Sequence, residues 1–115
     1  MAKIRIKTMK FMVLATAAFL LSMQQPAHAD DDYVLTLKDH KFTPENLTIP
    51  ADKKVKVIVK NASDTTAEFE SSDFNREKIV EAGSEITVFI GPLSPGSYGY
   101  FDDFHRETTG TIIVK

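Results

Sequence analysis

Apolar and polar residues alternate in short runs along most of the chain from position 33 onward. The runs at 33–38, 55–60 and 85–90 would place apolar side chains on one face of a strand, because successive strand residues point to opposite sides. Another run begins at Tyr98, and an apolar run follows Gly110. The spacing predicts an all-β fold of about seven short strands, a Greek-key β-sandwich.

The inward faces of these strands define a predicted core. Its members are Val34 or Leu35, Leu47, Ile49, Val57, Val59, Phe69, Ile86, Val88, Tyr98, Tyr100, Ile112 and Val114. The polar segment 71–78 is expected to form a loop or one helical turn. An immunoglobulin-type sandwich is the alternative fold, but the Cys and Trp residues that mark it are absent from the sequence.

The first 29 residues have the composition of a cleavable secretory signal peptide. Basic residues lie within the first ten positions, an apolar run follows at 11–21, and Ala27-His28-Ala29 supplies an A-x-A cleavage site. The apolar run is short for a membrane span. We therefore expect a signal peptide at 1–29 and one exported domain at 30–115, located in a bacterial periplasm and not inserted in the membrane after cleavage.

Charge and cysteine content narrow the function. Removal of the leader leaves ten basic and sixteen acidic residues, a net charge of −6, which argues against nucleic acid as a partner and is compatible with cations. The sequence has no Cys. A type 1 copper centre needs a thiolate ligand, so conventional blue-copper electron transfer is excluded.

The strand that begins at Tyr98 carries the first candidate ligands. Period-2 alternation aims Asp102 the same way as Tyr98 and Tyr100, toward the interior. His105 follows three residues later, where the strand is expected to have given way to a polar loop. A carboxylate and an imidazole are thus predicted at the mouth of the sandwich.

This layout resembles the ligand loop of cupredoxins, in which a strand delivers a Cys, a His follows at plus three, then a Met, and a Gly begins the last strand. Asp102 stands in the Cys position, His105 in the His position and Gly110 in the Gly position. Thr108 stands where the shortest such loops have the Met. The resemblance implies a cupredoxin-like sandwich that lacks most of the copper ligands.

A second resemblance rests on acidic motifs. Glu68-Phe69-Glu70, then Arg76-Glu77, then Pro95-Gly96-Ser97-Tyr98 are similar in kind and order to motifs of EfeO-type periplasmic iron-uptake proteins and of small cupredoxins in related iron-transport systems. Those EfeO-type domains often have Cys where this chain has Asp102. The resemblance implies a metal-binding part of an iron, or copper-assisted iron, uptake system. Its partners would be an inner-membrane iron permease and a periplasmic iron-binding protein.

The predicted metal ligands are Glu68, Glu77, Asp102 and His105, with Glu70, Asp103 and His40 in reserve. Carboxylates with one imidazole suit an iron or copper(II) ion better than Cu(I). The alternative without a metal is that Glu68 and Glu70 form a solvated strand face and that His40 is a surface residue in a turn. Three functions stay open: a metal-binding or transfer protein, which we favour over an enzyme; a copper-dependent enzyme that oxidises Fe(II); and a metal-free module that docks a partner.

Overall fold

Nine strands make up most of residues 33–115, the part of the chain that the computed structural model describes. They are β1 (Tyr33–Lys38), β2 (Lys41–Thr43), β3 (Asn46–Ile49), β4 (Val55–Asn61), β5 (Ala67–Ser71), β6 (Arg76–Val80), β7 (Glu85–Ile90), β8 (Gly96–Asp102) and β9 (His105–Val114). Within this range no helix is long and apolar enough to cross a membrane. The predicted signal peptide at 1–29 and the domain start at position 30 lie outside the described residues.

The strands form two sheets. One has four strands in the order β2-β1-β4-β7, and the other has five in the order β3-β9-β8-β5-β6. Two neighbouring pairs, β1 with β4 and β3 with β9, are parallel, and the remaining pairs are antiparallel. The predicted all-β sandwich is confirmed.

Apolar residues from both sheets make one core. Strand alternation explains its composition: in β4, Val55, Val57 and Val59 are buried while the residues between them are exposed or half-buried. Leu35, not Val34, takes the inward position in β1. The other predicted core residues are buried too, except that Ile86 and Tyr98 are only partly buried against the core.

An aromatic group fills the core next to the end of β8. The ring centroids of Phe42 and Tyr100 are 4.9 Å apart, and those of Phe69 and Tyr100 are 5.2 Å apart. These separations are typical of favourable aromatic pairs. Phe42 and Phe69 therefore both pack against the side chain of Tyr100, which precedes the candidate ligand Asp102 by two residues in β8.

Two segments differ from the sequence prediction. Residues 71–78 were expected as a loop or helical turn, but β5 and β6 form a hairpin there, with Glu70 opposite Glu77 and Ser71 opposite Arg76. The expected polar loop after Asp102 is also wrong: a two-residue turn at 103–104 leads directly into β9. Both segments are rich in polar residues because one side of each strand faces solvent, and that hides their strand character from a pattern of apolar residues.

Candidate metal centre

Asp102 ends β8 with its side chain on the inner face of the sheet. The residue is buried, as the alternation with Tyr100 predicted. Its Oδ1 accepts hydrogen bonds from the backbone N–H of Glu68 (3.0 Å) and of Phe104 (3.1 Å). Its Oδ2 lies 3.1 Å from Nδ1 of His105. The carboxylate thus ties β5, the hairpin turn and the first residue of β9 together.

His105 is oriented by this carboxylate. Because Oδ1 already accepts two backbone N–H groups, the simplest complete arrangement has Nδ1–H of His105 donating to Oδ2. Nε2 then keeps its lone pair. The imidazole side chain is about one-third exposed, at 31%.

His40 lies beside His105, which the sequence did not predict. Asp39 and His40 form the two-residue turn between β1 and β2, and both have the positive φ that a type I′ hairpin turn requires. The imidazole centroids of His40 and His105 are 4.8 Å apart, with the rings tilted by 60°. A cleft of about 320 Å³ opens at this point and is lined by both histidines and by Asp102.

Thr108 holds the His40 turn in place. Its hydroxyl donates to the backbone oxygen of His40 over 3.1 Å, and the residue is almost fully buried. Asp102 pairs with His105, while Phe101 pairs with Thr109, so residues 106–108 bulge out of the ladder. The bulge lets His105 and Thr108 both face the His40 turn. Thr108, at the position of the expected Met, therefore has a structural partner here.

Carboxylates gather on the opposite, outer face of the five-stranded sheet. One oxygen each from Glu68, Glu70 and Asp103 can be chosen so that all lie within 4.8 Å of one another. Glu77 faces Glu70 across the β5–β6 pair. We call Glu68, Glu70, Glu77 and Asp103 the outer acidic cluster.

Mutual repulsion and lost hydration perturb the outer acidic cluster. Desolvation comes first among the causes that raise the pKa of Glu68 to about 7, followed by hydrogen bonding and charge repulsion from Glu77 and Asp103. The pKa of Glu70 is raised by desolvation and then by Asp103 and Glu77, and Arg106 opposes this shift. Nearby positive charge therefore balances the negative charge of the cluster only in part.

Arg106 is a cation that contacts the outer acidic cluster. Its Nη2 lies 2.6 Å from Oδ1 of Asp103, an ion-pair distance. This buried oxygen atom accepts no hydrogen bond. The guanidinium also lies over the ring of Phe101, 5.1 Å from its centroid. Arg106 also opposes the shift at Glu70, but the pKa of Glu70 stays raised, so this arginine balances the charge of the cluster only in part.

The structure divides the four predicted ligands into two groups. Asp102 and His105 lie together on the inner side, joined there by His40. Glu68 lies on the outer side with Glu77, because its neighbour Phe69 is the residue that pairs with Asp102 and shares its face. Residue alternation thus prevents one ion from contacting the side chains of both Glu68 and Asp102. Metal binding by either group stays a prediction.

Comparison with known proteins adds the family. A model of the cupredoxin-like domain matches residues 11–114. The chain belongs to the cupredoxin-like domain family. An uncharacterised protein of Rickettsia prowazekii (strain Madrid E) is 41% identical over 108 residues, which cover 90% of this chain and 86% of that protein.

Solved structures share the fold of this cupredoxin-like chain. A purple cupredoxin from Nitrosopumilus maritimus superimposes with a TM-score of 0.58 at 20% identity, covering 73% of this chain and all of that one. Amicyanin from Paracoccus versutus superimposes with a TM-score of 0.61 at 20% identity, covering 74% and 82% of the two chains. Amicyanin structures include a reduced Cu(I) form. At these identities the likeness concerns the fold.

A type 1 copper ion does not fit this cupredoxin-like domain. The sequence offers no Cys thiolate, and Asp102 stands in the position from which the resemblance would deliver one. The oxygens of Asp102 are already used by Glu68, Phe104 and His105. The fold is that of the family, and the hairpin end of this chain carries Asp102, His105 and Thr108.

Proposed function

We propose that this protein is an exported metal-binding cupredoxin-like protein that handles iron or copper ions within an iron, or copper-assisted iron, uptake system. The observation that carries this proposal is the outer acidic cluster, in which carboxylate oxygens of Glu68, Glu70 and Asp103 can approach within 4.8 Å of one another. Family membership supports it, since amicyanin, a relative in fold, has a Cu(I) form.

The chemistry of the cluster favours a hard or borderline cation. Carboxylate oxygens suit such ions better than they suit Cu(I), so Fe(III), Fe(II) and Cu(II) are the ions that we expect the cluster to bind. Desolvation and then the neighbouring carboxylates raise the pKa of Glu68, and a bound cation would offset the second of these causes. Metal and protons thus compete for the same oxygens.

The cellular setting belongs to the same proposal. The N-terminal composition supports export to the periplasm, and the resemblance of the acidic motifs supports an inner-membrane iron permease and a periplasmic iron-binding protein as partners. A small protein with acids on one exposed sheet face would carry the ion to such a partner and need no catalytic step.

Calorimetric titration with chelated Fe(III) and with Cu(II) tests the proposal. We expect the double variant Glu68→Gln with Glu70→Gln to bind iron at least tenfold more weakly than the wild type, because two of the three close oxygen donors lose their charge. Glu81→Gln with Glu85→Gln is the matched control, since it removes the same charge from exposed positions outside the cluster. Equal iron affinity in all three proteins would refute the assignment.

A docking module is the second candidate, and one observation favours it. Ile79, which pairs with Glu68 across β5 and β6, is 48% exposed, so an apolar side chain lies beside the outer acidic cluster. Such a surface suits a basic protein partner. Absence of metal binding by the wild type, together with retention of the protein on a basic periplasmic partner, would support docking in place of ion binding.

A further inference from the structure

Lysine side chains gather on the outer face of the four-stranded sheet. Alternate residues of β1, β2 and β4 are buried in the core, so the residues next to them point outward. Four of these outward residues are exposed lysines, which we call the lysine face: Lys38, Lys41, Lys56 and Lys60. Among the outward residues of this sheet, all of them within the described range, Glu85 of β7 is the single acid. This side of the sandwich is therefore basic, although the chain as a whole is acidic.

Apolar side chains lie among these lysines. Val34 is 36% exposed and pairs with Ile58 of β4, and Phe89 is 47% exposed and pairs with Lys56. Nζ of Lys54 lies 5.4 Å from the centroid of the Phe89 ring, which brings a fifth lysine to this face. A partner would bury the exposed apolar groups, and the lysines favour a partner with negative charge.

The other outer face of the sandwich has the opposite charge. It holds the outer acidic cluster, and Ile79 beside that cluster is 48% exposed. The two basic residues of β6 do not neutralise these acids, because their side chains reach the other sheet. Nε of Arg76 donates to the backbone oxygen of Phe89 over 2.8 Å. Nζ of Lys78 lies 3.5 Å from the backbone oxygen of Thr87, to which it donates. Both cations thus lie at the β7 edge of the four-stranded sheet.

We propose that the lysine face binds the outer acidic cluster of a second copy of this chain. The two surfaces are complementary in charge, and each has an exposed apolar side chain, Phe89 on one and Ile79 on the other. Because they lie on different sheets of the same sandwich, the contact is heterologous, and one copy can bind two others. The inference needs no bound ion, so it goes beyond the proposed function.

The size of the lysine face indicates a weak association. Three spacings of about 4.8 Å separate the outer strands of the sheet, and a strand of six residues is about 20 Å long. This makes a small interface compared with the roughly 800 Å² per partner of a standard one. Its charges are exposed, so dissolved salt should weaken it.

Sedimentation velocity of the purified, metal-free protein tests the proposal. At low salt we expect the weight-average mass to rise above that of a monomer as the protein concentration increases from about 0.01 to about 1 mM, the range suited to a small interface. In about 1 M NaCl, where the Debye length is about 3 Å, the mass should return to that of the monomer.

Two charge-reversal variants identify the surfaces. Lys38→Glu with Lys60→Glu makes the lysine face acidic, and Glu70→Lys with Glu77→Lys makes the outer acidic cluster basic. Each variant alone should associate at least tenfold more weakly than the wild type. A mixture of the two should recover the association, because each reversed face then meets a face of opposite charge. All four side chains are exposed or half-buried, so the circular dichroism spectrum should not change.

Lys53→Glu with Lys115→Glu is the matched control for net charge. Both lysines are exposed, one in the loop between β3 and β4 and the other after β9. The control changes the net charge by the same amount as Lys38→Glu with Lys60→Glu, and it should keep the association of the wild type. The variant Glu70→Lys with Glu77→Lys makes the chain less negative, so general repulsion between copies does not explain a loss there.

Loss in each reversal variant, recovery in their mixture and retention in the control would together support the proposal. A monomer at every concentration, equal association in all variants or a mixture that does not recover would overturn it. Loss in only one reversal variant would also overturn it, because one of the two faces would then have another partner surface. A monomeric wild type that binds vesicles of phosphatidylglycerol, and loses this binding in Lys38→Glu with Lys60→Glu, would overturn it in favour of an anionic membrane surface. The iron titration tests the proposed function separately from all of these outcomes.

Discussion

Gly110 lies where β9 passes the ring of Tyr100, and it leaves no room for a side chain. A Cβ built at this position would lie 2.7 Å from Cε1 of Tyr100 and closer still to Cζ and Oη. Real Cβ atoms are not found at such distances, so the tyrosine ring or the strand would have to move. Tyr100 is 1% exposed and packed against Phe42 and Phe69, so its ring has little freedom to move.

The cost of Gly110→Ala can be worked out from these contacts. Overpacking of a dense core costs about 1–3 kcal/mol. A displaced Tyr100 would also lose the 3.2 Å hydrogen bond from its hydroxyl to the backbone oxygen of Glu45, worth about 1 kcal/mol. The expected loss in the free energy of unfolding is thus about 2–4 kcal/mol, or roughly 10–25 °C in melting temperature for a domain of this size.

Gly99→Ala in the same hairpin is the matched control. A Cβ at Gly99 would meet Oδ2 of Asp73 at 3.6 Å, an ordinary contact, so we expect a change within about 1 kcal/mol. Urea unfolding followed by circular dichroism measures both variants. Tyr100→Leu should cost less stability in the Gly110→Ala background than in the wild type, because in that background it also removes the clashing ring atoms. Equal destabilisation by the two alanines, or the same cost of Tyr100→Leu in both backgrounds, would refute the steric explanation.

Three further predictions concern the site and its surroundings. The pKa of Glu68 is raised from 4.5 to about 7 in the folded protein, so its contribution to stability is fully present below pH 4.5 and is lost as the pH rises through about 7. The melting temperature of Glu68→Gln should therefore exceed that of the wild type by a margin that grows between pH 5 and pH 8. A margin that does not change with pH would contradict this. Asn61 is buried, and its Nδ2 donates to the backbone oxygens of Thr65 and Val80, so Asn61→Ala should cost about 2–4 kcal/mol in a urea unfolding experiment, whereas a loss below about 1 kcal/mol would show that water replaces these bonds. Addition of Cu(II) should give no intense blue charge-transfer colour, because the sequence has no thiolate; an intense blue protein would show that the site chemistry is wrong.

The strand positions and the core followed from the sequence because one physical rule controls both. A strand with one face on the core has apolar and polar residues in alternate positions. Leu35, Val57 and Tyr100 occupy the buried positions that this alternation predicts. The β6 strand escaped prediction because it lies at the edge of its sheet, where three of its five residues, from Glu77 to Ile79, are exposed. An edge strand buries little apolar surface and gives a weak pattern.

The composition of the candidate sites was harder to predict than the fold. Alternation aimed Asp102 inward correctly, but the same rule places Glu68 on the other face once the register with β5 is known. That register depends on a pairing between residues far apart in the chain. The contact of His40 with His105 has the same origin, because no local pattern indicates which turn lies beside the β8–β9 hairpin.

The position of β9 in its sheet has a consequence for the order of folding. β3 is an edge strand that pairs with β9, and their register joins Asn46 to Thr111. While the chain is being made, β3 therefore waits for nearly all of the domain to emerge before its partner exists. Contacts this distant along the chain close slowly. The five-stranded sheet therefore cannot be completed at its β3 edge until β9 has been synthesised.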